Sequence, residues 1–120
     1  MLPFMQPSFN QKSSLLEAIL MVRIHGRWCG PNWTDGRNID ALAYKQAGGD
    51  FKGRCVDKLD CACRAHDKDC ANTKGCSAKA DRKLVQAALL VSLTTRNAAL
   101  AAKAKLLASG IAAASLTRSR

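Results

Sequence analysis

The chain has 120 residues, a formal net charge of +10 and six cysteines. That length allows one domain with a modest core, and no uninterrupted apolar run approaches the roughly 18 residues that a spanning helix needs. The basic side chains are spread from Lys12 to Arg120. They point to a negatively charged partner, an anionic lipid surface or a nucleic acid, unless they only keep the surface solvated.

Residues 1–12, with Pro3 and Pro7, read as a loose lead-in. Ser13 and Ser14 then offer an N-cap for a short helix over 14–23, with Leu15, Leu16, Ile19 and Val22 on one face. Such a stripe suits ordinary core packing or the lining of a lipid channel. Glu17 interrupts this apolar stretch and no small-residue cleavage site follows before the cysteines, which speaks against a secretory signal. Export would then follow loss of a leader, another route, or incorporation into a larger particle.

Residues 26–54 hold most of the glycines, with turn signals at Asp35-Gly36 and Gly48-Gly49-Asp50. They read as a long loop region with a short helix over 38–46, and loops of that length commonly carry function. A helix is expected over 57–72, capped by Asp57 and followed by a turn from Asn72 to Gly75. Ser77 caps a second helix over 78–108, roughly 45 Å long at 1.5 Å per residue and halted near Gly110. Residues 111–120 read as a frayed tail. Strand signals are nearly absent, so a single all-α domain is expected.

The chemistry concentrates on the middle helix. Cys63, His66, Asp67 and Cys70 fall at i, i+3, i+4 and i+7 and so share one face. An imidazole and a carboxylate then stand side by side, with cysteines a turn away. Upstream lies Trp28-Cys29-Gly30-Pro31-Asn32-Trp33, where Gly30 permits a sharp backbone turn and Asn32 tolerates left-handed geometry. Backbone carbonyls of an irregular loop plus one carboxylate suit calcium. Six cysteines suit three disulfides or, in a reducing compartment, a metal site. A Cys29–Cys63 bridge is preferred, because it would hold the glycine loop against His66 and Asp67. Proximity suggests Cys55–Cys61 and Cys70–Cys76. Downstream, Asp81 lies one turn into the long helix. If the two helices pack antiparallel, it can approach His66, fix the imidazole tautomer and leave the other nitrogen free as a base.

Together, Trp28-Cys29-Gly30, the run from Leu59-Asp60 to Cys63-Arg64-Ala65-His66-Asp67, and Asp81-Arg82 resemble the calcium-dependent phospholipases A2 of the secreted and viral types. The resemblance covers about residues 25–90. It implies two antiparallel helices joined by disulfides beside a calcium loop, and a secreted or particle-associated location. It implies His66 as general base, Asp81 as its partner and Gly30 N–H as an oxyanion donor. Asp67 and the carbonyls of Trp28, Gly30 and Asn32 would hold Ca2+. The expected activity is hydrolysis of the sn-2 ester of glycerophospholipids at an anionic membrane surface, with no nucleic acid partner. The family has glycine where Asn32 stands and tyrosine where Cys70 stands.

Two other classes fit parts of the pattern. Cys61, Cys63, His66, Cys70 and Cys76 can be read as a zinc module that binds nucleic acid, although Cys-x-Cys within a helix is poorly spaced for a tetrahedral site. A phospholipase-like fold without catalysis would act only as a membrane binder. His25 and Asp69 have no assigned role, Tyr44 is not placed at the site, and the Asn32-Trp33-Thr34 glycosylation match is read as chance. The later half of the long helix, with Lys103 and Lys105, can alternatively lie on a lipid surface as an amphipathic segment.

Overall fold

Short polar side chains set the helix starts. Asp40 accepts a hydrogen bond from the Ala43 amide at 2.9 Å and opens α1, Ala41–Gln46. Asp57 does the same for the Asp60 amide at 2.9 Å and opens α2, Lys58–Cys70. Ser77 caps α3, Ala78–Thr94, through the Ala80 amide at 3.0 Å. Asn97 caps α4, Ala98–Ser115, through the Leu100 amide at 3.0 Å. Each cap satisfies one of the amides that a helix start leaves without a partner, at about 1 kcal/mol apiece. This computed structural model describes residues 23–118 and residue 120. The lead-in and the helix expected over 14–23 fall on residues outside that set, except Arg23, which is not helical.

The single long helix expected over 78–108 is instead a hairpin of α3 and α4. Thr95 is extended, with ψ 143, and Asn97 restarts the helix. Two consecutive threonines weaken the helix locally, but burial decides the break. Folding back packs Leu84 and Ala88 of α3 with Ala104, Leu107 and Ala108 of α4, all buried in the core. One straight rod could not bring those faces together. α3 and α4 share the most extensive contact between elements, and α2 packs against α3.

Helix α4 also does not stop near Gly110; it runs through it to Ser115. A mid-helix glycine costs only about 1 kcal/mol relative to alanine, less than the packing of Leu107 and Ala108 just before it returns. By length and composition α4 is long and apolar enough to cross a membrane, with mean hydropathy 1.2 over Ala98–Ser115. Lys103 and Lys105 interrupt it, and its buried residues pack into the core with α3.

The fold is mainly helical, with a small β component that includes an isolated antiparallel bridge between His25 and Cys29. Strands β1 (Trp33–Thr34) and β2 (Arg37–Asn38) pair antiparallel. Between them Asp35 and Gly36 both have positive φ, 53 and 74, the geometry of a tight hairpin turn. The Asp35-Gly36 turn signal was therefore a hairpin signal.

Three disulfides join Cys29 to Cys63, Cys55 to Cys61 and Cys70 to Cys76. Each has one cysteine in α2 and the other in a segment outside the helices. They pin loops to α2; they do not cross-link two helices, as the family resemblance implied. Three bridges in a small domain are compatible with an extracellular or otherwise oxidising location.

Candidate active site

The loop from His25 to Asn32 is held against α2 by one buried carboxylate. Asp60 is fully buried and accepts from the amides of Arg27 (3.1 and 3.0 Å), Trp28 (2.9 Å) and Val56 (2.9 Å). Gly26 makes this approach possible. It sits at φ 62, and a Cβ there would overlap the Asp60 carboxylate. Cys29–Cys63 adds a covalent tie at the next turn. Trp28 is fully buried, donates its indole N–H to the Arg54 carbonyl at 2.9 Å, and packs on Tyr44 and Phe51.

Two residues without a sequence-based role belong to this scaffold. The His25 ring meets the Asp57 carboxylate at 2.6 Å, tying the loop entrance to the cap of α2. Tyr44 donates to Asp35 at 2.9 Å, and Arg27 pairs with the same carboxylate at 2.6 Å. Burial pushes the Asp35 carboxyl up, but the Arg27 and Tyr44 hydrogen bonds outweigh it and hold Asp35 below the usual range. Burial, with Asp35 beside it, raises the Tyr44 phenol. Asp69 is engaged too: it accepts from the Ser77 amide at 2.7 Å and links the end of α2 to the start of α3.

His66 and Asp81 meet across the α2–α3 contact. Nε2 of His66 lies 2.6 Å from Asp81 Oδ1, with both side chains nearly inaccessible. A carboxylate on Nε2 selects the tautomer with the proton there and leaves Nδ1 with its lone pair. Nδ1 has the Cys70 sulfur 3.6 Å away. The expected approach of Asp81 to His66 is therefore present. Its source in the sequence is simple: His66 is one turn from the end of α2, Asp81 one turn into α3, and a short turn joins them.

The sequence reading missed the third member. Arg118, in the segment expected to fray, donates from Nε to Asp81 Oδ2 at 2.8 Å and from Nη2 to Oδ1 at 3.4 Å. Burial pushes the Asp81 carboxyl up, but hydrogen bonds from Arg118 and His66 more than reverse this and hold it below the usual carboxylate range.

A cavity of about 380 Å³ opens beside this pair. Trp28, Gly30, Asn32, His66 and Asp67 all border it, so five of the six sequence-selected residues share one cavity while Asp81 stands behind His66. Gly30 (φ 143) and Asn32 (φ 52) take the positive φ that their residue types allow. Among the described residues, no hydrogen bond occupies the Gly30 amide or the carbonyls of Trp28 and Gly30. Leu106, Leu107 and Ile111 of α4 supply an apolar wall. Their i, i+1, i+5 spacing was a visible signal, hidden because residues beyond 108 were read as outside the helix.

Asp67 is the unsatisfied member. Its Oδ2 is buried and has no hydrogen-bond partner among the described residues. Desolvation by burial, reinforced by the nearby charge of Asp60, pushes its carboxyl well above the usual range. A buried, unpartnered carboxylate is costly unless protonated or matched by a cation. A second cluster, of softer donors, is formed by His66, Cys70 and Cys76, whose ligating atoms lie within 4.8 Å of one another. Cys70 and Cys76 are bonded to each other, and Cys61 and Cys63 are in other bridges, so the zinc set has no free thiol in this oxidised state.

Compared with known proteins, the chain matches no family model, no curated relative and no solved structure.

Proposed function

We propose that the protein is a calcium-dependent phospholipase A2 that hydrolyses the sn-2 ester of glycerophospholipids at an anionic lipid surface. The observation that carries this reading is the juxtaposition, on one cavity, of a carboxylate-held imidazole and a buried carboxylate oxygen with no partner among the described residues. The donor set suits a hard cation: Asp67 with the carbonyls of Trp28, Gly30 and Asn32 offers oxygen alone. Calcium held by these residues would supply Lewis-acid polarisation of the ester carbonyl and positive charge for the substrate phosphate.

The chain's own residues would divide the remaining work. Asp81 accepts a hydrogen bond from His66 Nε2–H and so keeps Nδ1 as the base that takes a proton from the attacking water. The Gly30 N–H donates to the developing oxyanion. Leu106, Leu107 and Ile111 receive an acyl chain and exclude bulk water from the ester. The exposed Leu106, flanked by exposed Lys103 and Lys105, gives α4 a face suited to an anionic interface.

The test is fatty-acid release from sn-2-labelled vesicles, with calcium and then with a chelator. Release that requires calcium and is faster on anionic than on zwitterionic vesicles at low salt is expected. No release from folded, oxidised protein would overturn the enzyme reading and favour a membrane binder without catalysis. A second reading, zinc bound after reduction, has the His66, Cys70 and Cys76 cluster in its favour. It requires free thiols, so thiol titration of the native protein separates the two.

A further inference from the structure

We infer that Arg118 is a positioning residue for the His66–Asp81 pair, delivered by the C-terminal segment, which acts as a clasp; this rests on the phospholipase reading above. Both oxygens of Asp81 are committed. Oδ1 faces His66 Nε2 at 2.6 Å and Oδ2 takes Arg118 Nε at 2.8 Å. Asp81 is 1% exposed, so in the native chain these two side chains, and not bulk water, satisfy it. An imidazole follows the rotation of the carboxylate that holds it, and a carboxylate gripped on one edge by a guanidinium fork has little freedom to rotate.

Arg118 is placed by anchors on both sides. Before it, Ser115 ends α4 and the Leu116–Arg118 amides turn back onto the last carbonyls of the helix, at 3.1 to 3.3 Å. Beyond it, Arg120 donates to the carbonyls of Gly75 at 2.9 Å and Asp69 at 2.8 Å, and its own carbonyl accepts from the Ala78 amide at 2.7 Å. Residues 116–118 therefore sit at the end of α4 and Arg120 at the α2–α3 turn, with Arg118 beside Asp81. Arg118 borders neither the candidate cavity nor the ester-binding wall, so its effect runs through Asp81 and not through substrate contact.

The experiment compares Arg118→Ala, Arg118→Met and Arg118→Lys, each checked for wild-type melting behaviour. For Arg118→Ala and Arg118→Met, kcat falls roughly 10- to 100-fold, the range seen for outer partners that orient metal-ligating side chains, while KM stays within about twofold because no binding contact is lost. Arg118→Lys retains an intermediate kcat, and added guanidinium restores part of the loss in Arg118→Ala. The second readout is the His66 Nε2–H resonance by nuclear magnetic resonance, present in wild type and Arg118→Lys and broadened by exchange in Arg118→Met. An active wild type with unchanged kcat in Arg118→Met would overturn the inference and leave the proposed function standing. An inactive wild type would overturn the proposed function, and a Nε2–H signal unchanged in Arg118→Met would overturn the clasp as well. If Arg118→Ala and Arg118→Met fail to fold, Arg118→Lys decides alone, since full kcat with a normal Nε2–H signal would show that a fork is not needed.

Discussion

Asp67→Asn should stabilise the protein when calcium is chelated and remove the stabilisation that calcium gives. In the native chain Oδ2 of Asp67 is buried without a partner among the described residues, and burial with Asp60 nearby opposes its ionisation. A group whose pKa is raised by folding favours the native state below its unfolded pKa, and that contribution is lost as pH rises through the folded value. At neutral pH the calcium-free native state therefore carries a cost at Asp67, paid either as an ion with one buried, unmatched oxygen or as a proton that the unfolded chain would release. Leaving one buried polar group unsatisfied costs about 1–3 kcal/mol, and asparagine removes the charge at nearly constant shape. For a domain of this size that corresponds to a rise in Tm of roughly 4 °C or more. Calcium at 100 times its Kd would stabilise the native chain by about 2.7 kcal/mol and leave Asp67→Asn almost unchanged. Thermal melts followed by circular dichroism at pH 7, with chelator and with calcium, provide all four values. A lower Tm for Asp67→Asn in chelator, together with an undiminished calcium shift, would refute the assignment of Asp67 as the cation's carboxylate.

Three further outcomes are expected. His66→Gln should abolish sn-2 hydrolysis while melting near wild type, since glutamine can keep a hydrogen bond to Asp81; near-normal turnover would remove His66 as the base. Because Asp81 is held below the usual range by Arg118 and His66 despite burial, its contribution to stability is present above the unfolded value, roughly pH 4, and is lost as pH falls through the folded value. Melts from pH 5 down to 2 should show this loss, and Asp81→Asn should flatten it; an equal acid slope in the variant would contradict the pairing. Gly26→Ala should destabilise by more than the roughly 1–2 kcal/mol of left-handed strain alone, because a Cβ there meets the Asp60 carboxylate. Chemical denaturation of Gly26→Ala would read this as a lower midpoint, and an unchanged midpoint would argue against the Asp60 clamp.

Much of the candidate site was legible in the chain because it is built from local spacing. The helical interval from Cys63 to Cys70 puts His66 and Asp67 on adjacent positions whatever surrounds them. A turn of fixed length then brings Asp81 back across from His66, and the glycine loop is tied to the same helix by Cys29–Cys63. Two helix starts were legible for the same reason, since Asp57 and Ser77 cap their own following amides. What the sequence could not decide depends on groups far apart in the chain. Whether residues 78–108 form one rod or two helices turns on the burial available when Ala104, Leu107 and Ala108 fold back on Leu84 and Ala88; local propensity differs too little to choose. The role of Asp60 appears only when the amides of Arg27, Trp28 and Val56 converge on it. Arg118 looked like a charge on a fraying end, because nothing in its neighbours reveals that Asp81, 37 positions earlier, is buried and has an oxygen left to satisfy. Short-range geometry wrote the His66 face into the sequence, while desolvation, which exists only in the folded chain, decided which charges must find each other.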